Sequence, residues 1–157
     1  MTFKYKKVAV GGTFDNLHLG HRVLLRVAFN IGKSIIIGVT SDNFARRSGK
    51  NVNHDLPLRV KLLKKFLDSE FPNRYKICVL EDYFGPIATK ANIDAIVVSE
   101  ETASKAEMAN ELRIDKGLKP LKIIIIDTVL ADDGLPISST RIKSGEIDVE
   151  GHIIKSH

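Results

Sequence analysis

Short runs of continuous β-branched and apolar residues alternate with amphipathic stretches along this chain, and that alternation constrains its fold more than any other feature. The runs are KKVAVGG at 6–12, SIIIGVT at 34–40, YKICVLE at 75–81, DAIVVSE at 94–100 and LKIIIID at 121–127. A strand with one wet face alternates polar and apolar residues, whereas a run apolar on both sides suits a parallel sheet covered on both faces. Between the runs, 18–32 sets Val23, Leu24, Val27 and Ile31 at helical spacing, with Gly32 as its expected stop. Residues 55–71 offer Asp55 as a cap and Pro57 in the first turn, and 100–117 closes at Gly117. A final short helix is expected within ISSTRIKSGE, 137–146. The result is an α/β expectation: a single-domain, doubly wound Rossmann-like fold, with a five-stranded parallel sheet and helices on both faces. No repeat, low-complexity tract or linker interrupts the chain, so residues 1–157 read as one domain.

In such sheets ligands lie beyond the carboxyl ends of the strands, where the strand order reverses. Three segments follow strands there: GGTFDNLHLGH at 11–21, SEE at 99–101 and, after a longer loop, ISST at 137–140. What they face is bounded by charge. The excess of 24 Lys and Arg over 19 Asp and Glu, a net +5, suits anionic small molecules. Scattered basic residues, no Trp and no aromatic-basic pattern argue against nucleic acid. No apolar stretch approaches the roughly 18 residues of a membrane span, and the first residues lack a signal-peptide core. The single cysteine, Cys78 in ICVL, excludes an intramolecular disulfide and fits a reducing compartment. A cytoplasmic protein with no membrane, nucleic-acid or obligate protein partner is expected.

Within the first segment, Gly11 and Gly12 allow a sharp turn and close approach to a ligand, and Thr13 offers a hydroxyl there. Asp15 and Asn16 favour the turn into the helix. His18 and His21, three apart at a helix start, share one face, and the helix N-terminus adds N–H groups suited to an anion. Gly20 removes a side chain where a base or phosphate would pass. The expectation is two imidazoles aimed at a phosphate. Neither GxxxxGK[ST] nor GxGxxG occurs, and no cysteine cluster or HExxH supplies a zinc site, so no metal-ligating residue is assigned.

GGTFDNLHLGH resembles the HxGH signature of the nucleotidyltransferase superfamily, and ISST at 137–140 resembles its second mark, ISSTxxR. VAVGGTFD, LPLRVKLL, EDYFGP and VVSEET with a downstream Asn resemble the phosphopantetheine adenylyltransferases of the archaeal and eukaryotic branch. Cytidylyltransferases share GTFDxxHxGH but usually end in RTxGISTT, which is missing here. The resemblance implies transfer of an adenylyl group from ATP to 4′-phosphopantetheine, giving dephospho-coenzyme A and pyrophosphate. The rival expectations are another nucleotidyltransferase of the superfamily, using CTP, a flavin or a nicotinamide nucleotide, and a non-catalytic nucleotide-binding module.

By the same resemblance His18 and His21 are catalytic, and ATP contacts fall on Gly12, Thr13, Phe14, Asp15, His18, Gly20 and His21. Further ATP contacts fall on Ser99, Glu100, Glu101 and Asn110, and on Ile137, Ser138, Ser139 and Thr140. Thr13, with Arg46, Arg47 and Lys50 in the loop after the second strand, is assigned to the acceptor. Mg²⁺ is implied with ATP, held largely by phosphates and water. The chain departs from ISSTxxR by reading ISSTRIK: Lys143 stands where Arg is expected, and Arg141 comes two residues early. Residue 143 lies on the helix face of Thr140 and residue 141 about 100° away, which makes Lys143 the third catalytic candidate.

Overall fold

The computed structural model describes residues 2–155; the outermost residues of the expected 1–157 domain lie outside the described residues. Five parallel strands form one sheet: β1 (Tyr5–Gly12), β2 (Gly32–Thr40), β3 (Tyr75–Leu80), β4 (Ala95–Ser99) and β5 (Lys122–Ile126), in the order β3-β2-β1-β4-β5. The expected fold class is what the chain adopts. Helices α1 (Leu19–Ile31) and α3 (Leu56–Glu70) enclose a core of Val8, Val10, Leu25, Phe29, Ile35, Ile37, Leu63 and Leu67 on one face. On the other face α4 (Ala103–Asp115) and the segment after β3 bury Ala9, Ile36, Ile87, Ile96, Val98, Ala106 and Ala109. Alternate residues of β1 thus point into different cores, which is why its sequence is apolar without a polar phase.

The strand order reverses between β1 and β4, and the join there is short. β1 pairs with β2 as far as Gly12↔Val39, and β4 with β5 as far as Ser99↔Ile126. Between β1 and β4 the register holds only Val8↔Ala95 and Ala9↔Ile96. Beyond Ala9 no further pairing joins the two strands, so their carboxyl ends are left unbridged.

Gly32 stops α1 as expected, its N–H donating to Ala28 O; its backbone is extended, and it opens β2. A Cβ there would stand 2.6 Å from Val8 Cγ2 and 2.8 Å from Ile35 Cδ1, so close packing is what requires glycine. The segment carrying Arg46 and Arg47 is not loop but a short helix, α2 (Asp42–Arg47), capped by Ser41 Oγ accepting from Phe44 N at 2.9 Å. Asp55 caps α3 from Leu58 N at 3.1 Å, and Gly117 ends α4 with φ +77°, both as expected. The last helix, α5, is Ser139–Lys143.

Candidate active site

The HLGH stretch folds into an unusual N-cap. His18 caps α1: its Nδ1 accepts from the His21 amide at 3.4 Å, while the His18 amide donates to His21 Nδ1 at 3.2 Å. This is a capping box built from two imidazoles. The rings stack with centroids 3.7 Å apart and planes 15° from parallel. A Cβ on Gly20 would stand 2.9 Å from His18 Cε1, so the space that glycine opens is filled by the His18 ring rather than by a ligand.

The cap decides the protonation state. Burial lowers the His18 pKa to about 4, assisted by the Arg22 charge. Burial also pushes His21 well below the usual histidine range, with His18 and then Lys50 adding to it. Both rings are therefore neutral near pH 7. Because each Nδ1 accepts a backbone N–H, its proton must sit on Nε2. The pair thus presents two N–H donors on ring edges turned away from the helix backbone. Of the first-turn amides, His21 N is taken by His18 and Leu19 N by Val149 O at 2.8 Å, which leaves Gly20 N for an anion.

The loop before the cap is strained and tightly held. Phe14, Asn16 and Leu17 have φ of +54°, +62° and +26°, values that side chains other than glycine seldom adopt. Phe14 is 2% exposed in the core, with its ring 5.3 Å from that of His21. The Asp15 carboxylate, also buried, accepts from Asn53 N at 2.6 Å, His54 N at 3.2 Å and His54 Nδ1 at 3.1 Å. Asp15 O accepts from Ser139 Oγ at 2.9 Å, and Asn16 Oδ1 from Asn53 Nδ2 at 3.2 Å. The side chains of the expected ATP contacts Phe14 and Asp15 hold the loop, the ring in the core and the carboxylate on Asn53 and His54.

Around this centre the other expected residues divide. Lys50 reaches Thr13, its Nζ 3.3 Å from Oγ1, so these two acceptor residues do meet. Arg46 turns to Asn43 Oδ1 at 3.1 Å, and Arg47 to Glu81 O at 2.6 Å. Gly12 packs against the Phe14 ring at 3.3 Å from a would-be Cβ. Ser99 ends β4, its Oγ 3.3 Å from Thr102 Oγ1, with exposed Glu100 and Glu101 after it. Ser138 Oγ caps α5 through Arg141 N at 3.2 Å, and Ser139 is tied to Asp15, while Thr140 and Lys143 are exposed. The Ile137 side chain is buried with Ala131 and Ile147. Asn110 is not at the carboxyl ends of the strands. Its amide donates to Leu121 O at 2.9 Å and accepts from Leu121 N at 2.7 Å, at the amino end of β5.

Sequence reasoning missed Arg59. It is 1% exposed, and its guanidinium donates to His54 O at 3.0 Å, Thr13 O at 2.8 Å, Thr40 O at 2.8 Å and Asp42 Oδ1 at 2.7 Å. The signal was present: Arg59 stands on the same buried stripe of α3 as Leu63 and Leu67, at four-residue spacing. It also missed Lys105, whose Nζ lies 3.4 Å from the ring centroid of Tyr83 on the loop after β3.

A parallel sheet parted at its switch point, with paired histidines at the mouth of the first helix, defines a nucleotidyltransferase of the HxGH kind. The chain belongs to the cytidylyltransferase-like family, whose profile matches residues 9–145. Within it, the chain is 48% identical to a phosphopantetheine adenylyltransferase of Methanothermobacter thermautotrophicus, over 99% of this chain and 93% of that protein. It is 44% identical to the phosphopantetheine adenylyltransferase of Methanopyrus kandleri, over 92% of each chain. It is a member of the phosphopantetheine adenylyltransferases. Among solved structures, a protein of unknown function from Archaeoglobus fulgidus superposes with TM-score 0.71 at 30% identity, covering 84% of this chain and 99% of that one. Tyrosyl-tRNA synthetase from the same organism shares the fold, with TM-score 0.64 at 15% identity over 89% of this chain and 60% of that one.

Proposed function

We propose that this enzyme transfers the adenylyl group of ATP to 4′-phosphopantetheine, releasing pyrophosphate and dephospho-coenzyme A in coenzyme A biosynthesis. The observation that carries the reading is the locked imidazole pair: two neutral Nε2–H donors beyond the carboxyl end of β1. The acceptor's phosphate, already ionised, attacks the α-phosphorus of ATP, and the bond from that phosphorus to the bridging oxygen breaks as pyrophosphate leaves. No proton needs to move, so no general base is called for. The work left to the protein is alignment and stabilisation of charge on the transferring phosphoryl group.

In this reading His18 and His21 donate to the ATP phosphates, His21 nearest the α-phosphate, and Gly20 N adds a backbone donor. Thr13 and Lys50 hold the acceptor phosphate. Thr140, the Ser138 and Ser139 oxygens and Lys143 lie along the β- and γ-phosphates, and Ser99 to Glu101 flank the adenosine. Among the described residues no group of three His, Cys, Asp or Glu is placed to hold a metal ion. Mg²⁺ would travel with ATP, held largely by phosphate oxygens and water, lowering the charge of the leaving group. No helix among the described residues is long and apolar enough to cross a membrane. The proposed location is the cytoplasm, supported by a sequence with a single cysteine.

Pyrophosphate release, measured with ATP and 4′-phosphopantetheine and with each omitted, tests the reaction. Turnover needing both is expected. Faster turnover with CTP, or with nicotinamide mononucleotide as acceptor, would overturn it, and no turnover at all would leave a binding module. His21→Ala is expected to lower kcat on the order of 10²-fold or more with little change in ATP affinity, the mark of a donor used in the transition state. If the folded His21→Ala enzyme turns over normally, the histidine is structural.

A further inference from the structure

We propose that Arg59 is the positioning residue of the acceptor half of the site: it sets the Lys50–Thr13 pair without touching either substrate. The proposal rests on the reading that this pair holds the acceptor's phosphate. Thr13 and the segment that carries Lys50 are fastened to the same guanidinium. Thr13 is held directly, through its carbonyl at 2.8 Å. Lys50 belongs to the segment between α2 and α3, and Arg59 grips that segment at both ends, at Asp42 Oδ1 (2.7 Å) on α2 and at His54 O (3.0 Å) before α3. The remaining bond, to Thr40 O at 2.8 Å, references the assembly to the end of β2.

Four acceptors on four segments cannot be met by a point charge. Lysine offers three donors on one atom, while the guanidinium spreads five over a rigid plane, so only arginine spans this set. The contacts also explain why a cation is tolerated at 1% exposure: one carboxylate neutralises it, and three carbonyls solvate it. The nucleotide half has ties of its own besides this segment. The His18–His21 box is closed on itself, and Asp15 O is held by Ser139, although the Asp15 carboxylate also meets Asn53 and His54 on the segment that Arg59 grips. Loosening Arg59 should therefore move the acceptor's contacts more than those of ATP.

The test compares wild type with Arg59→Lys and Asp42→Asn. The measurements are KM for each substrate with the other saturating, ATP affinity by calorimetry, and melting temperature. Arg59→Lys is expected to raise the KM for 4′-phosphopantetheine by about tenfold or more and to leave ATP affinity within about threefold. Asp42→Asn should give a smaller rise in the same KM. In a Lys50→Ala background, Arg59→Lys should add little further, because it acts through the residue already removed. A lower melting temperature with both KM values unchanged overturns the proposal, as does an equal loss for both substrates or a full additive loss beside Lys50→Ala. Should Arg59→Lys fail to fold, Asp42→Asn decides alone: an unchanged acceptor KM overturns the proposal. Wild-type enzyme inactive with 4′-phosphopantetheine would instead overturn the acceptor reading itself.

Discussion

A histidine that caps a helix with its own side chain has lost its usual freedom of tautomer and charge, and that is what His18 and His21 exchange for a fixed aim. With Nδ1 committed to the backbone, each ring keeps one donor, and burial keeps it uncharged. The consequence for stability has a definite sign. Unfolded, both rings take up a proton near pH 6.5; folded, His18 does so only near 4. The unfolded chain therefore binds more protons between these values, and stability falls as pH is lowered from 6.5 toward 4, with no contribution from these groups above 6.5. His18→Asn, which retains a capping side chain but no titrating ring, should lose less melting temperature than wild type between pH 7 and 5. A steeper acid loss in His18→Asn would refute this. Imidazole ¹⁵N spectra near pH 7 should show both rings with the proton on Nε2, and a proton on Nδ1 of either ring would contradict the cap geometry. Sequence alone made the histidine pair legible, because spacing puts the two on one face. It did not show that the Asp15 and Phe14 side chains turn inward, because a motif names residues without giving their orientation. Arg59 escaped because a charged residue on a buried stripe reads as solvated until its four acceptors are seen.

At the scale of elements, α5 decides between two basic residues. Arg141 is fully engaged: it pairs with Asp133, donates to Glu146 Oε2 at 2.9 Å, and reaches Leu135 O and Pro136 O at 3.4 and 3.1 Å. It staples the 133–136 turn to the helix. Lys143 has no such tie and lies exposed beyond Thr140 on the same face. Arg141→Ala should therefore lower the melting temperature, the loss of a linked cluster of bonds rather than of one exposed ion pair. Lys143→Ala should leave melting unchanged and cut kcat/KM for ATP about tenfold or more, as expected when one cation facing developing phosphate charge is removed. The reverse pattern would make Arg141 the phosphate ligand. The elements themselves were legible where an apolar phase or a capping signal marked them. All five strands and the helices α1 and α3 announce themselves by apolar phase, whereas α4, which buries Ala106, Ala109 and Arg113, is marked by its end at Gly117. The six residues of α2 are too few for a period, and only Ser41 followed by Asp42 marks the start.

On the scale of the whole molecule, the weakest seam of the sheet is also its working part. The β1–β4 register covers only Val8↔Ala95 and Ala9↔Ile96, yet it joins the half bearing β1 to β3 and α1 to the half bearing β4, β5 and α4. A nucleotide whose phosphates meet the α1 cap and whose base lies by Ser99 to Glu101 spans that seam and adds contacts on both sides of it. Binding only to the folded state then stabilises the molecule by mass action, by ~2.7 kcal/mol at a hundredfold excess over Kd. For a domain of this length that corresponds to a rise of roughly 5–10 °C in melting temperature. ATP is therefore expected to raise the melting temperature by this amount at saturating concentration, and CTP at the same concentration distinctly less. The net charge of +5 adds a general attraction for any triphosphate, which 0.5 M salt, by shrinking the Debye length to about 4 Å, largely removes. The difference between ATP and CTP should survive that salt, because it arises from contacts with the base. Equal shifts for the two nucleotides in high salt would mean that the pocket reads phosphate alone, and would shift the choice of adenylyl group from this site to the supply of nucleotide.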